Sequence, residues 1–349
     1  MEISLLDRYK GAMVGVHVGD AIGAPYETWG PKKIAADIAA REGLKFFEYP
    51  NPWVKDRGEA MMPPGRPTDD SDQTADLAWS LIECNSLNPE HLREALRDSV
   101  VRNKSRLWSG VSDGAGGTTR KALSDDPSKV KEARTNNIGT NGSLMRSVPM
   151  ALWLHNNDVY EPRIGGRRRG RFGVPGGDGP TKDTVIGTMS DITHTHLHSK
   201  WACIIYCFVL DRILATQSEE FQSHAKKERL WRAAKNNFDH VPLYRRIHNG
   251  LIDEGLFPID PGAWPARGTA EFSLYAALWC FKHSTSFADG IERAVRIGGD
   301  TDTYAAIAGG LLGAYYGYEA IPLEWRQTIL GHDVMVDYAE KLYELNQRK

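Results

Sequence analysis

Two short acidic segments hold the side chains of this sequence that are best suited to chemistry. The first is Asp300-Thr301-Asp302-Thr303, which precedes a segment rich in alanine, glycine and leucine. Carboxylate and hydroxyl oxygens at this density suit a hard divalent cation such as Mg²⁺ or Mn²⁺. An ordinary helix start is the alternative, because Asp and Thr are favoured N-cap residues. This segment alone leaves both interpretations open.

The second acidic segment is Thr68-Asp69-Asp70, at the start of a helix predicted from about residue 71. Apolar residues recur at helical spacing through Leu77 and Leu81, which is the pattern of a helix with one buried face. A single acidic helix start is unremarkable. Two of the same design, far apart in the sequence, favour one shared metal centre.

Several other polar and glycine residues are candidates for a site, each with a structural alternative. Glu27 is either a solvated loop carboxylate or a movable site residue. Gly114, Gly116 and Gly117 would let a ligand approach the backbone, whose N–H groups suit phosphate, although most glycine-rich turns are only turns. Arg146 could bind phosphate, but a structural salt bridge is favoured slightly.

Three histidines, His194, His196 and His198, lie two residues apart. At that spacing they would not share a helix face, and the His-Glu-x-x-His pattern of zinc enzymes is missing. A zinc site is therefore disfavoured, and His194 remains as the candidate for a substrate contact.

The elements that position these residues are predicted to be helices. Gly11, Gly15 and Gly19 recur every fourth residue in a helix that should end near Gly23, which predicts a smooth face for close helix packing. Further helices are predicted over 89–107, 118–123, 199–214, 219–256, 270–282, 287–296 and 324–346. Strand-like alternation is scarce. The prediction is an all-α fold with a single domain over 1–349 and a flexible Arg/Gly-rich insertion at 163–183.

Composition narrows the classes of partner. The chain has 349 residues, 41% hydrophobic and 25% charged, with a formal net charge of −2, as in an ordinary soluble protein. No apolar run approaches the roughly 20 residues that span a bilayer, and the N-terminal residues are too polar for a signal peptide. The four cysteines form no Cys-x-x-Cys pair, which fits a reducing, cytoplasmic setting. Nucleic-acid binding by the Arg/Gly segment is less favoured than a mobile, solvated loop.

Six motifs together resemble the ADP-ribosylglycohydrolase family, which includes ADP-ribosylarginine hydrolases, ADP-ribosylserine hydrolases and dinitrogenase-reductase-activating glycohydrolase. The motifs occur in family order and span nearly the whole chain: 15–27, Thr68-Asp69-Asp70-Ser71, 140–146, Thr193-His194, 298–303 and 321–325. Ser71 stands where the family commonly has Thr, so the hydroxyl is kept. The 163–183 insertion is not part of the family pattern.

The resemblance implies a compact, orthogonal helical bundle that holds two Mg²⁺ or Mn²⁺ ions. By motif position, the metal ligands would be Thr68, Asp69, Asp70, Asp300, Asp302 and Thr303. Glu27 matches a mobile acidic residue near the second metal, and Glu27 or Asp302 would be the catalytic base. Gly114, Gly116 and Gly117 fall near the diphosphate loop, and the residues bordering ADP-ribose would be Asn141, Gly142, Ser143 and His194.

The implied activity is hydrolysis of the glycosidic bond between ADP-ribose and a protein arginine or serine. The expected partners are ADP-ribose and ADP-ribosylated protein, with no membrane, and the expected state is a monomer. Two alternatives remain: a hydrolase of small ADP-ribose conjugates or other N-glycosides, and an inactive ADP-ribose-binding relative.

Overall fold

The computed structural model describes residues 3–50, 61–135, 138–156, 181–216, 224–252 and 268–348. Within these ranges the chain forms sixteen α-helices and one two-stranded sheet. The helices are α1 Leu5–Gly23, α2 Pro31–Ala40, α3 Asp69–Cys84, α4 Pro89–Val100, α5 Gly117–Ala122, α6 Pro127–Thr135, α7 Val148–Leu154, α8 Lys182–Asp191, α9 Leu197–Leu214, α10 His224–Phe238, α11 Pro242–Ile252, α12 Ala270–His283, α13 Phe287–Arg296, α14 Thr301–Tyr316, α15 Leu323–Thr328 and α16 His332–Gln347. Strands β1 Tyr49–Pro50 and β2 Met61–Met62 pair antiparallel, with Tyr49 opposite Met62. The predicted all-α class is confirmed.

Helices α1 and α14 form the centre of the fold and run in opposite directions. Gly15 lies against Gly309 so closely that a Cβ atom on Gly15 would stand 2.2 Å from the Gly309 carbonyl oxygen. Gly11 meets Gly313 in the same way, at 2.2 Å. The close packing predicted from the glycine spacing is therefore confirmed, and it brings the end of α1 beside the start of α14.

Other helices surround this pair and bury it. Helices α9, α12 and α13 pack on α14, and α16 packs on α1. Every residue of α14 except Tyr316 is buried, which explains why its sequence is apolar on all sides. The acidic start of α14 therefore sits at the edge of the hydrophobic core. No helix in the described ranges is long and apolar enough to cross a bilayer.

The helix predicted over 89–107 ends earlier, at Val100. Asn103 adopts a left-handed conformation with φ 53°, which stops the helix. The chain beyond it is held against α3 instead: the Ser105 hydroxyl donates to Asp72 Oδ1 at 2.5 Å, and Arg106 pairs with Asp76 at 2.7 Å. These anchors lead the chain toward Gly114 and the two glycines after it.

Two further boundaries differ from the sequence prediction. The charged helical segment predicted over 219–256 forms two helices within the described residues 224–252, α10 and α11, because Pro242 begins α11 and has no N–H to continue a helix across 239–241. The predicted insertion lies outside the described residues over 163–180. Its last three residues belong to the start of α8, where the Thr181 hydroxyl accepts from the Thr184 N–H at 3.2 Å.

Candidate metal centre

The two acidic segments meet at one cavity of about 410 Å³. Ends of helices and the loops between them supply its wall, so that segments distant in sequence face a common space. The lining residues are Glu27, Thr28, Asp69, Asp70, Gly114, Gly116, Gly117, Thr118, Thr119, Thr140, Asn141, Gly142, Met145, His194, Gly268, Gly299, Asp300, Asp302 and Thr303.

Neither N-cap side chain of the acidic segments caps its own helix. Asp300 occupies the N-cap position of α14 without a capping hydrogen bond, and its Oδ2 accepts from Asn141 Nδ2 at 2.7 Å. Thr68, the N-cap residue of α3, also makes no capping hydrogen bond. Its hydroxyl donates instead to Asp20 Oδ1 at 2.6 Å. The ordinary-cap interpretation left open by the sequence is therefore wrong for both segments.

Asp20 is a site residue that sequence reasoning missed. It is fully buried near the end of α1, and besides the Thr68 hydroxyl it accepts from the Thr68 N–H at 2.9 Å. The Ser71 N–H and hydroxyl also donate to it, at 3.0 and 2.5 Å. With both oxygens occupied, Asp20 holds the start of α3 in place. The available signal was an isolated carboxylate one residue after Gly19, on an otherwise uncharged helix face.

The carboxylates form two overlapping groups. Oxygens of Asp20, Asp70 and Asp302 lie within 4.8 Å of one another, and so do oxygens of Glu27, Asp300 and Asp302. Asp302 belongs to both. Among the described residues, Asp70 Oδ1 and Glu27 Oε2 are buried without a hydrogen-bond partner. Buried, unpartnered carboxylate oxygens are costly unless a cation compensates them, so this donor set fits hard divalent ions.

The pKa shifts of these carboxylates also favour a bound cation. Burial raises the pKa of Asp69, Asp70 and Asp302 well above the ordinary value, and neighbouring carboxylates raise it further. Burial, then Asp300 and Asp20, raises the pKa of Glu27 to about 7. The cluster therefore binds protons when no other positive charge is present.

Another part of the cavity wall carries the predicted ADP-ribose residues, with one exception. Asn141, Gly142 and His194 line the cavity, whereas Ser143 does not. Ser143 is fully buried, and its hydroxyl hydrogen-bonds with the Ser190 hydroxyl at 2.9 Å. The structure thus does not bring the Ser143 hydroxyl to the cavity, because its side chain packs behind the wall.

The glycine-rich segment approaches the acidic group directly. Gly114 has φ +104°, and a Cβ atom there would lie 2.6 Å from Asp69 Oδ1. A side chain at this position would therefore strain the backbone and strike a carboxylate. Gly116 and Gly117 have open space where a Cβ would stand, so their backbone is accessible from the cavity.

The family model described as ADP-ribosylglycohydrolase matches residues 1–349. The chain belongs to the ADP-ribosylglycohydrolase family. The predicted family and the predicted enzyme class, a glycosidase of the ADP-ribosyl hydrolase type, are confirmed by this membership.

Individual relatives are similar over nearly the whole chain. The ADP-ribosylhydrolase ARH3 of Danio rerio is 25% identical, and the alignment covers 98% of this chain and 92% of that protein. The ADP-ribosylarginine hydrolase Tri1 of Serratia proteamaculans (strain 568) is 26% identical, with 98% and 80% covered. A solved structure titled ADP-ribosylglycohydrolase-related protein complex superposes with a TM-score of 0.64 at 26% identity, with 98% of this chain and 99% of that chain covered.

Proposed function

We propose that this ADP-ribosylglycohydrolase uses two Mg²⁺ or Mn²⁺ ions to hydrolyse the glycosidic bond between ADP-ribose and a protein arginine or serine. The observation that carries the proposal is the pair of oxygen groups that share Asp302 at the wall of the cavity. Thr68, Asp69, Asp70, Asp300, Asp302 and Thr303 would hold the ions. When bound, such ions neutralise the carboxylates, orient the sugar hydroxyls and acidify a water molecule.

The chain's own residues supply the rest of the chemistry. As the bond from the anomeric carbon to the acceptor breaks, positive charge develops on the ribose ring. The carboxylates at the cavity wall stabilise that charge electrostatically. Glu27 is the better candidate for the base that takes a proton from the attacking water, since it lines the cavity and its Oε2 is buried without a hydrogen-bond partner among the described residues. Asp302 has the additional task of joining both oxygen groups.

The part of the wall that carries Asn141, Gly142 and His194 would bind ADP-ribose. Gly116 and Gly117 line the cavity and have open space beside their Cα atoms, so a diphosphate could approach their backbone. Asn141 and His194 offer polar side chains to the ribose. Their position on the cavity wall supports these roles, which the resemblance to the family had suggested.

A chelator assay with a substrate panel tests the proposed function. Purified protein is incubated with arginine-linked, serine-linked and nucleic-acid-linked ADP-ribose, and with small ADP-ribose conjugates, while free ADP-ribose is measured. We expect release from a protein-linked substrate, its abolition by EDTA and its recovery with Mg²⁺. Release that persists in EDTA would contradict metal dependence. Failure to act on every substrate, with ADP-ribose still bound, would favour the inactive relative.

The proposed setting is the cytoplasm, with the enzyme acting as a monomer. All four cysteines, Cys84, Cys203, Cys207 and Cys280, are free thiols, as in a reducing compartment. Light scattering of the purified protein measures the molecular mass, and a mass of about twice the 38.9 kDa of one chain would contradict the monomer.

Stabilisation by Mg²⁺ should increase with pH. The raised pKa values mean that the folded, metal-free protein binds more protons than the unfolded chain from about pH 4 up to about pH 7, so its stability falls as pH rises through that range. Protons and metal compete for the same oxygens, so metal affinity rises over the same range. Thermal melting with and without Mg²⁺ between about pH 5.5 and 7.5 measures the difference. A Tm increase that is independent of pH would contradict binding at this cluster.

A further inference from the structure

Arg146 is a fully buried arginine that pairs with no carboxylate in the described structure. Sequence reasoning favoured a salt bridge, and that expectation is wrong. Its guanidinium donates instead to two neutral groups: Nη1 to Gln73 Oε1 at 2.7 Å, and Nη2 to the Thr193 hydroxyl at 2.6 Å. Burial lowers its pKa to about 10, so the group still carries its charge at neutral pH. Burying a charge without an opposite charge costs free energy, so we expect Arg146 to have a role other than charge pairing.

One arm of the guanidinium leads to the acidic cluster. Gln73 accepts from Arg146 through Oε1, so its amide must present the NH₂ group on the other side. That group donates to Asp69 Oδ2 at 2.6 Å. A flipped amide would place NH₂ against the guanidinium and the carbonyl oxygen against the carboxylate, which are two repulsive contacts. Arg146 therefore fixes the orientation of the amide that holds Asp69.

The other arm leads to the ADP-ribose wall. The Thr193 hydroxyl lies 2.6 Å from Arg146 Nη2 and 2.7 Å from His194 Nδ1. Arginine can only donate, so the single hydroxyl proton is free to donate to Nδ1. Nδ1 is then the acceptor, and the ring proton is on Nε2. A Cβ atom on Gly142 would be 3.1 Å from His194 Nε2, which places this nitrogen beside a glycine of the cavity wall.

We infer that Arg146 is a positioning residue that acts on both walls of the cavity: through Gln73 it orients Asp69, and through Thr193 it keeps His194 in the Nε2–H tautomer as a hydrogen-bond donor to the substrate. The substrate group that fits this donor is an acceptor oxygen, of a ribose hydroxyl or a phosphate. Burial, then the nearby guanidinium, lowers the pKa of His194 to about 3, so the ring stays neutral and keeps one fixed proton. The Asp69 arm rests on the proposed metal-dependent function; the His194 arm follows from the hydrogen-bond pattern alone.

Two conservative variants separate the arms. Gln73→Met removes the amide next to Asp69, and Thr193→Val removes the hydroxyl next to His194 while keeping the shape of the side chain. Mn²⁺ affinity, measured by titration followed by electron paramagnetic resonance, reports on the first arm. Two-bond ¹H–¹⁵N spectra of histidine-labelled protein, with His194 assigned by its loss in His194→Ala, report on the tautomer.

Gln73→Met is expected to weaken Mn²⁺ binding about 10- to 100-fold and to leave the His194 signal unchanged. Thr193→Val is expected to alter the His194 signal and raise the KM for ADP-ribosylated substrate, with Mn²⁺ affinity unchanged. Arg146→Lys, which keeps the charge but cannot span both partners, should change both readouts. Folded Arg146→Lys with wild-type Mn²⁺ affinity and a wild-type His194 signal would overturn the inference. If that variant does not fold, the wild-type His194 tautomer and the two single-arm variants test the contacts on which the inference depends.

Wild-type readouts for Gln73→Met and Thr193→Val, or a wild-type His194 protonated on Nδ1, would overturn the inference. Gln73→Met and Thr193→Val variants that each disturb both readouts would also overturn it, since that pattern reports general loosening of the fold. A wild-type protein that binds no Mn²⁺ would instead refute the proposed metal dependence, and the His194 spectra would still test Arg146.

Discussion

Replacing Asp302 with asparagine is expected to cause the largest loss of activity of any single change. Asp302 is the residue shared by the two oxygen groups, so Asp302→Asn removes a charge from both at once. Losing one preorganised charge at the reacting centre costs about 10²–10³ in rate, and weaker metal binding in both oxygen groups adds to this. We therefore expect the rate of ADP-ribose release to fall by at least about 10²-fold at saturating Mg²⁺. Single-turnover kinetics measure it.

The stability of the same variant separates lost chemistry from lost fold. Burial, then repulsion from Glu27 and Asp70, raises the pKa of Asp302, so a neutral amide at this position should relieve an unfavourable charge in the metal-free protein. The metal-free Asp302→Asn variant should melt at or above the wild-type temperature. Asp337→Asn, which removes a half-exposed carboxylate from an i,i+4 pair with Lys341, is the matched control and should keep full activity. Near-normal turnover of Asp302→Asn would refute the assigned site.

Replacing Gly15 with alanine is expected to cause the largest loss of stability. The new methyl group would stand 2.2 Å from the carbonyl oxygen of Gly309, and backbone atoms cannot rotate away as a flexible side chain can. Overpacking in a core costs about 1–3 kcal/mol, and a clash with backbone belongs at the upper end or beyond. We expect Gly15→Ala to lower the free energy of unfolding by about 3 kcal/mol or more, as measured by urea denaturation.

Gly187→Ala is the matched control within the same protein. Gly187 lies inside α8 with nothing within 4 Å of the position a Cβ would take. Alanine there should be neutral or stabilise the protein by up to about 1 kcal/mol, because glycine has the poorer helix propensity. If Gly15→Ala and Gly187→Ala changed the free energy of unfolding equally, the contact between α1 and α14 would not be the cause of the destabilisation.

The sequence predicted the parts of the site that follow local rules. Acidic residues at two helix starts, the glycine spacing of α1 and the open backbone of Gly116 and Gly117 are visible as short patterns. The helical class follows from periodicity and from the scarcity of strand-like alternation. These signals depend only on residues within a few positions of one another, which is why reading along the chain suffices for them.

Features that depend on tertiary partners escaped prediction. Asp20 binds Thr68 and Ser71 across the interface between α1 and α3, so its own helix shows an isolated carboxylate but not the partners that give it a role. By sequence, Ser143 is as good a candidate for a ligand contact as its neighbours Asn141 and Gly142. In the structure, its hydroxyl hydrogen-bonds with the Ser190 hydroxyl instead. A motif specifies residue types, whereas only packing determines which side of a wall each side chain faces.

The opposed packing of α1 and α14 also affects biosynthesis. A ribosome delivers α1 early, whereas the helix that covers it is complete only when Tyr316 has been added. Until then the nascent polypeptide presents an uncovered small-residue face and half of an acidic cluster. Translation that is interrupted between α1 and α14 leaves out Asp300 and Asp302, so we expect its product to lack catalytic activity.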